Sequence, residues 1–595
     1  MSRFVLFNGA KLVRPGAATK IDASQFQNTV LDGVGIVGLV GEGESGTPRT
    51  IQVFNSAGGV KDFYRSGDLV EAAQIAALPE NDDRLTSGAS TFVCYKVNNS
   101  TAATLTAGSP TTITFTSLLH GLLSNNNTIT ISDGGSSTRI ITLTTTDLYG
   151  NVITETSPAL GGTGKFAIQY VGAGSAATIT ITSTQLTTSV TGAPADNQTF
   201  LFSNYKNLND IIIALAQTGK YTCSALITNA ISFDPSNLDG ITTVDIKTSL
   251  TTIYARNFDI VDYVNTTSQI ATAVLVKGQV SPISVLSTTA MSGGTRGTSA
   301  NIDWANAFIA LRTTRINQLV PLVSTDALTA QGTFTFASIA AAFAAHCSFV
   351  SSTKGRNECQ GWYGMHATKA NLIAEANLRN NMDLVLSGQQ GTFPRTYDGA
   401  LTVFPEWGIA AAMAGARAGA PLGEPLTWKY LNILGVTQDA SWSESNNDDV
   451  ESLELNGVVV VNNIVGKGFR IDKCITTFTR FDNDAYTEET IVQIWKAFAF
   501  TLRSALEDRY TGARGDLVTI NTVPNTMVNV AEQFLDARAI TPSSVNGTTT
   551  PAYRNIKYSL QGDKLFSSIT ISPTPGINYE CATIALVPAA FSAAV

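Results

Sequence analysis

At 595 residues the chain has room for about three or four domains of ~150 residues each, enough to bury cores without disulfide staples. Charged residues are only 14% and the formal net charge is −8. That balance argues against nucleic acid as a main partner, because phosphate binding needs a basic field. A hydrophobic share of 44% is ordinary for a globular protein. Thr, Ser and Asn are plentiful, and a surface of hydroxyls and amides suits β-rich, exposed architecture or a subunit covered by copies of itself. The six cysteines (Cys94, Cys223, Cys347, Cys359, Cys474, Cys581) form no C-x-x-C pair, so neither a zinc ribbon nor a redox motif is supported and they read as buried thiols. MSRFVLFNGAKL lacks the apolar length and cleavage site of a secretory signal. No run of ~18 apolar residues marks a membrane-spanning helix, so the chain is expected to fold in a cytoplasm.

Residues 1–25 read as an extended arm, with a short strand at Phe4, Val5, Leu6 and Phe7 whose unpaired edge needs a partner. Residues 26–97 carry α/β signals. GVGIVGLV is a buried strand, GDLVEAAQIAAL has helical spacing, and STFVCYKV returns as a strand. From 98 to 200 the style changes to short Thr-rich alternating strands (TTITFTS, NTITISD, TRIITLTTT, KFAIQYVG, ATITITSTQL), read as an inserted all-β domain of sandwich or barrel type. At 201 the α/β style resumes with NLNDIIIALAQTGKYTCSALI and continues to 454 through DWANAFIALRTTRINQLVPLVS, FASIAAAFAAHCSFV and HATKANLIAEANLR. Residues 455–575 read as a C-terminal domain around one long helix, Thr487 to Tyr510. Its apolar stripe is Ile491, Ile494, Trp495, Phe498, Leu502 and Leu506. Asp484, Glu488 and Glu489 are expected to cap that helix, and Asn525 to cap a second one. YRNIKYSL, KLFSSITISP and INYECATIALVP close the chain as strands, with 576–595 a terminal strand and arm.

Two glycine-rich segments test the enzyme reading. Gly41, Gly43 and Gly46 spell G-x-G-x-x-G, but TPRTIQVF follows, which is turn and strand where a dinucleotide fold needs a helix. GGTRGTS, with Gly293, Gly294 and Gly297, lacks the lysine of a phosphate loop. Both are expected to be structural turns. The three histidines, His120, His346 and His366, show no metal or triad spacing. SNNDDVES and FDNDAYTEE lack the pattern of a calcium loop. The residues support no catalytic site, no metal site and no cofactor.

Taken in order, the landmarks resemble those of contractile bacteriophage tail sheath proteins. VGIVGLVGEGESGTPRTIQVF resembles the family's glycine-punctuated strand and turn. AMSGGTRGTSANIDWANAFIALRTTRINQLVPLVS resembles its L-x-G-G-x-x-G segment, with Met291 and Arg296 departing from the pattern. GIAAAMAGARAGAPLGEPLTW and LELNGVVVVNNIVGKGFRIDKCITTFT resemble the segments that follow. The match covers 26–97 and 201–588 and leaves the 98–200 insertion outside. The resemblance implies an α/β (α+β) multidomain sheath core with extended terminal arms, no enzymatic activity, and a place in the virion tail. Implied partners are copies of the chain in helically stacked six-fold rings, the tail tube protein, and baseplate and terminator proteins, without nucleic acid or membrane insertion. Arms exchanged between neighbours would use Phe4, Val5, Leu6, Phe7, Tyr579, Ala582, Ile584 and Leu586. The tube-facing set would be Arg503, Glu507, Asp508, Arg509 and Arg514. Two alternatives stay open: a β-rich surface adhesin or decoration protein, and a disfavoured nucleotide-dependent oxidoreductase.

Overall fold

The structure, a computed structural model, describes residues 5–7, 10–12, 35–79, 82, 84–85, 87–146, 151–325, 334–481, 483–516, 520–545 and 548–578. At its centre is a seven-stranded sheet. In spatial order its strands are Val458–Val459, Leu384–Ser387, Gln360–Gly364, Gln318–Pro321, Ile36–Gly41, Thr91–Lys96 and Ile51–Phe54. All neighbours run parallel except the last, which pairs antiparallel with Thr91–Lys96 at the edge. A parallel sheet is covered on both faces, and here alternate residues divide between two cores. Val37, Leu39, Phe92, Cys94, Val320 and Trp362 pack toward helices Ala57–Tyr64, Asp68–Ala77 and Trp407–Gly419. Val40, Val93, Tyr95, Leu319 and Tyr363 pack toward Asn301–Ala310, Phe336–Val350, Lys369–Arg379 and Asn447–Leu455.

The Trp407–Gly419 helix is buried along its whole length, from Trp407 to Ala418. Its run of Ala and Gly makes that possible, because a helix apolar all round is a core helix. A Cβ on Gly415 would stand 2.2 Å from the Ala76 carbonyl oxygen, so only glycine allows the two helices to meet this closely.

The inserted unit is larger than its composition indicates, and it is not all-β. Thr-richness fades after residue 200, but hydrogen bonding does not stop there. Phe166–Tyr170 pairs with Tyr221–Ala225 and Thr251–Ile253; Ala176–Ile181 pairs with Ile241–Asp245; Ile113–His120 pairs with Ala271–Leu275; Thr128–Gly135 pairs with Leu286–Ala290. Four antiparallel sheets thus draw strands from both sides of the expected end at 200. Two helices, Leu208–Gln217 and Arg256–Thr267, fill the unit's two cores.

The C-terminal end also differs from its reading. Val458–Val459 closes the central sheet, so the core continues past the expected boundary at 454. Beyond it, the Glu489–Tyr510 helix packs through Ile494, Ala497 and Phe498 on Val530, Ala531 and Phe534 of helix Val523–Asp536. Asn525 lies inside that helix, whose cap position is Thr522 with a proline in the first turn. Asn483 caps the short Asp484–Thr487 turn, and no side chain caps the long helix. SNNDDVES forms the start of helix Asn447–Leu455, capped by Asn446.

Candidate functional site

The two glycine turns lie together. They lie at the neck of the inserted unit, which leaves the core after Thr91–Lys96 and returns through the second turn before Asn301–Ala310. Asn98 joins them: its Oδ1 accepts from the Gly43 amide (3.1 Å), and its Nδ2 donates to the carbonyls of Gly43 (2.9 Å) and Arg296 (2.7 Å). Glu42, buried, accepts from the Ser299 hydroxyl (2.8 Å) and pairs with Arg296 (3.4 Å). Lys96 is also buried, and its ammonium donates to the carbonyls of Glu44 (3.3 Å), Ser45 (2.9 Å) and Gly46 (3.2 Å) and to the Ser100 hydroxyl (2.6 Å). Burial pushes that amine down to about 7.

The same geometry removes the phosphate-cradle reading of the first turn. The amides of Gly43, Glu44 and Ser45 already donate to Asn98, Ser66 and Tyr64, and the chain continues into an edge strand. Gly46 has φ +79° and its α-carbon faces Phe63 and Tyr64; Gly297 has φ +71° and sits against the Asn99 carbonyl. Among the described residues no group of three or more His, Cys, Asp or Glu is placed to hold a metal ion. His346 is buried beside Phe308, and that burial lowers its imidazole to about 4.

The Glu489–Tyr510 helix docks on the sheet by polar contacts that its apolar stripe does not reveal. Gln493 bonds Gln318 (3.3 Å), and Gln318 accepts from the Trp362 indole (2.7 Å). The buried Lys496 ammonium reaches the Cys359 carbonyl (2.7 Å), Gln360 (2.8 Å) and Asp383 (2.7 Å). These partners sit at the starts of three parallel strands, so one helix face ties the N-terminal ends of the sheet together. The sequence signal was there: Glu489, Gln493 and Lys496 recur at i, i+4 and i+7, the spacing of one face.

Two residues of the expected tube-facing set serve the same docking. Arg503 donates to both Glu358 oxygens (2.6 and 2.5 Å), and Glu507 pairs with Arg356. Arg509 donates to the Thr526 hydroxyl (3.1 Å). Asp508 and Arg514 are exposed. Beside them opens a groove of about 950 Å³ between Leu502, Leu506 and Tyr510 of the helix and Leu560 and Leu565 of a β-ribbon, with Arg514 and Asp563 among the lining residues. The ribbon, Tyr553–Gln561 against Lys564–Ile571, bonds to no third strand among the described residues.

Val5, Leu6 and Phe7 form the expected strand, which pairs antiparallel with Ala10–Leu12 of the same chain. Phe4, Tyr579, Ala582, Ile584 and Leu586 lie outside the described residues.

No protein-family model matches the chain. Relatives span nearly all of it. The tail sheath protein of Bacillus phage SP01 is 23% identical over 599 residues, covering 98% of this chain and 97% of its own length. The tail sheath protein of Staphylococcus phage Twort is 22% identical over 618 residues, 96% of each. A protein of Enterococcus phage phiEF24C is 23% identical over 593 residues, again 96% of each. Such coverage runs through the inserted unit, which the sequence comparison of motifs had left outside. Two solved sheath tail proteins share the fold. That of Listeria innocua gives a TM-score of 0.53 at 13% identity, covering 91% of this chain and 96% of its own. That of Desulfitobacterium hafniense gives 0.50 at 14%, covering 94% and 100%.

Proposed function

The chain belongs to the phage tail sheath family, a structural and non-enzymatic part of a contractile phage tail, and from that premise we propose how it assembles and works. Copies polymerise around the tail tube as helically stacked six-fold rings, joined by strands exchanged between neighbours. Contraction then drives the tube through the host envelope.

The β-ribbon carries this reading. Both outer edges of Tyr553–Gln561 and Lys564–Ile571 lack a strand partner among the described residues. An open edge offers a row of backbone donors and acceptors and recruits a strand from another chain. The terminal segments supply such strands, Phe4 to Phe7 at one end and Tyr579, Ala582, Ile584 and Leu586 at the other. A strand bonded to a neighbour's ribbon keeps the lattice linked while subunit bodies rotate between two packings, the extended one metastable. Asp508, Arg509 and Arg514, at the free end of the long helix, face the tube, whereas Arg503 and Glu507 hold that helix to its own core. The tube, baseplate and terminator proteins complete the set of partners.

Electron microscopy of the purified protein tests the reading. Hollow tubes or stacked six-fold rings are expected; dispersed monomers at every salt and protein concentration tried would overturn it.

A further inference from the structure

Three consecutive carbonyls of the first glycine turn, those of Glu44, Ser45 and Gly46, converge on one point, and the Lys96 ammonium occupies it. The Ser100 hydroxyl adds a fourth oxygen, and the Lys96 side chain is fully buried. The chain makes this turn with Gly46 at φ +79°, a conformation that glycine adopts readily. Among the described residues no other donor reaches the Glu44 and Ser45 carbonyls.

These oxygens stand 2.6 to 3.3 Å from the nitrogen. Calcium takes oxygen ligands at about 2.3–2.6 Å and magnesium at about 2.0–2.1 Å, so the cage is too wide for either and fits a large monovalent ion. Rings of backbone carbonyls replace the hydration shell of potassium in this way. An ammonium has three hydrogens for four oxygens, a limit that a spherical ion does not share. The surrounding charge also calls for a cation. Burial opposes a positive charge here, Glu44 and Glu42 favour it, and Arg296 opposes it. Without Lys96 the two carboxylates would outnumber the guanidinium.

The cage straddles the neck, its three carbonyls belonging to the core and Ser100 to the inserted unit. The same turn holds that unit at two further points. Ser45 Oγ donates to the His120 carbonyl (2.9 Å), and the Glu44 carboxylate accepts from the Leu122 amide (2.8 Å). We infer that the GEGESG turn is a site for a monovalent cation of potassium or ammonium size, that the Lys96 side chain is its built-in cation, and that filling the site fixes the inserted unit to the core. A cation tethered to the chain is held at high effective concentration and is not lost to solvent, so the wild-type neck stays closed in any salt.

The full-length Lys96→Ala and Lys96→Met variants test it, melted in potassium chloride and in choline chloride of equal ionic strength. Alanine opens the cage to an ion, whereas methionine keeps the side-chain volume without the charge. Lys96→Ala should melt about 2–4 °C higher in potassium than in choline, the shift expected of a site well above half-saturation. Wild type and Lys96→Met should melt alike in both salts. Refolding from urea in each salt covers an Ala variant that is unfolded when made: recovery in potassium alone supports the site, and recovery in neither overturns it. Trypsin cleavage after Arg296, in the second turn, reads the neck directly and in Lys96→Ala should be several-fold faster in choline. Equal melting of Lys96→Ala in the two salts, a potassium gain shared by Lys96→Met, or equal cleavage at Arg296 would each overturn the inference.

Discussion

Arg417 and Glu489 form an ion pair with no solvent exposure on either side chain, at 3.3 Å between Nη1 and Oε2. Arg417 comes from the helix at the centre of the core, and Glu489 from the first turn of the helix that carries the C-terminal unit. Arg417 also donates to the carbonyls of Glu424 (2.8 Å) and Pro421 (3.3 Å). Burial pushes the Glu489 carboxyl up, and Arg417 opposes that shift. The pair is therefore one of the electrostatic fastenings between the two units, beside Lys496–Asp383 and Arg503–Glu358.

Removing one member leaves the other buried and uncompensated. Arg417→Met should cost roughly 3–5 kcal/mol in urea unfolding. Adding Glu489→Leu should recover a large part of it, because an apolar pair of similar volume often matches a buried ion pair. A double variant no more stable than the single one would show that the two residues act independently.

Stability should fall as pH rises from about 4.5 to about 7 and then level off. Burial pushes the Glu488 carboxyl up to about 7, with Asp484 and Glu489 adding to the shift, Lys473 opposing it, and Asn578 donating to it at 2.7 Å. Between the ordinary carboxylate value of about 4.3 and 7 the folded chain holds a proton that the unfolded chain releases. The sign is thus negative: Glu488 carries no ionisation penalty below about pH 4, and costs on the order of 3 kcal/mol above pH 7. Glu488→Gln should match wild type near pH 4 and exceed it at pH 8 in thermal melts. Identical melting curves at pH 8 would refute the shift.

Gly46 and Gly43 should respond differently to a methyl group. At Gly46 a Cβ would stand 2.7 Å from Phe63 and Tyr64, at φ +79°. Gly46→Ala should destabilise by roughly 2–4 kcal/mol, combining left-handed strain with overpacking. At Gly43 the nearest atom, on Tyr64, is 3.2 Å away and a small side-chain shift admits the methyl, so Gly43→Ala should cost about 1 kcal/mol or less. Chemical denaturation of the two variants orders them.

Deleting residues 1–20 should leave the body folded and its melting temperature unchanged, because the Val5–Phe7 strand pairs only with Ala10–Leu12 in the described chain. Polymerisation should be poor. Tube formation equal to the full chain's would show that no N-terminal strand is needed.

Local pattern placed most elements. A buried apolar run put a strand at Ile36–Gly41, β-branched and aromatic residues put one at Thr91–Lys96, helical spacing put a helix at Asp68–Ala77, and a run of small residues put one at Phe336–Val350. Those signals are carried by neighbouring residues, so the chain alone determines them. The absence of a helix after Gly46 likewise told against a dinucleotide cradle before any coordinate did. What the chain could not fix was pairing at a distance. Residues 98–200 changed composition at their end, yet the strands of 221–290 complete their sheets, because a ladder is decided by which edges meet. Arg503 and Glu507 read as surface charges until folding brought Glu358 and Arg356 beside them. Sequence set the elements and the family order of its motifs. Tertiary structure decided which charges are paired within the molecule and which edges lack a strand partner among the described residues, since both depend on contacts no local window contains.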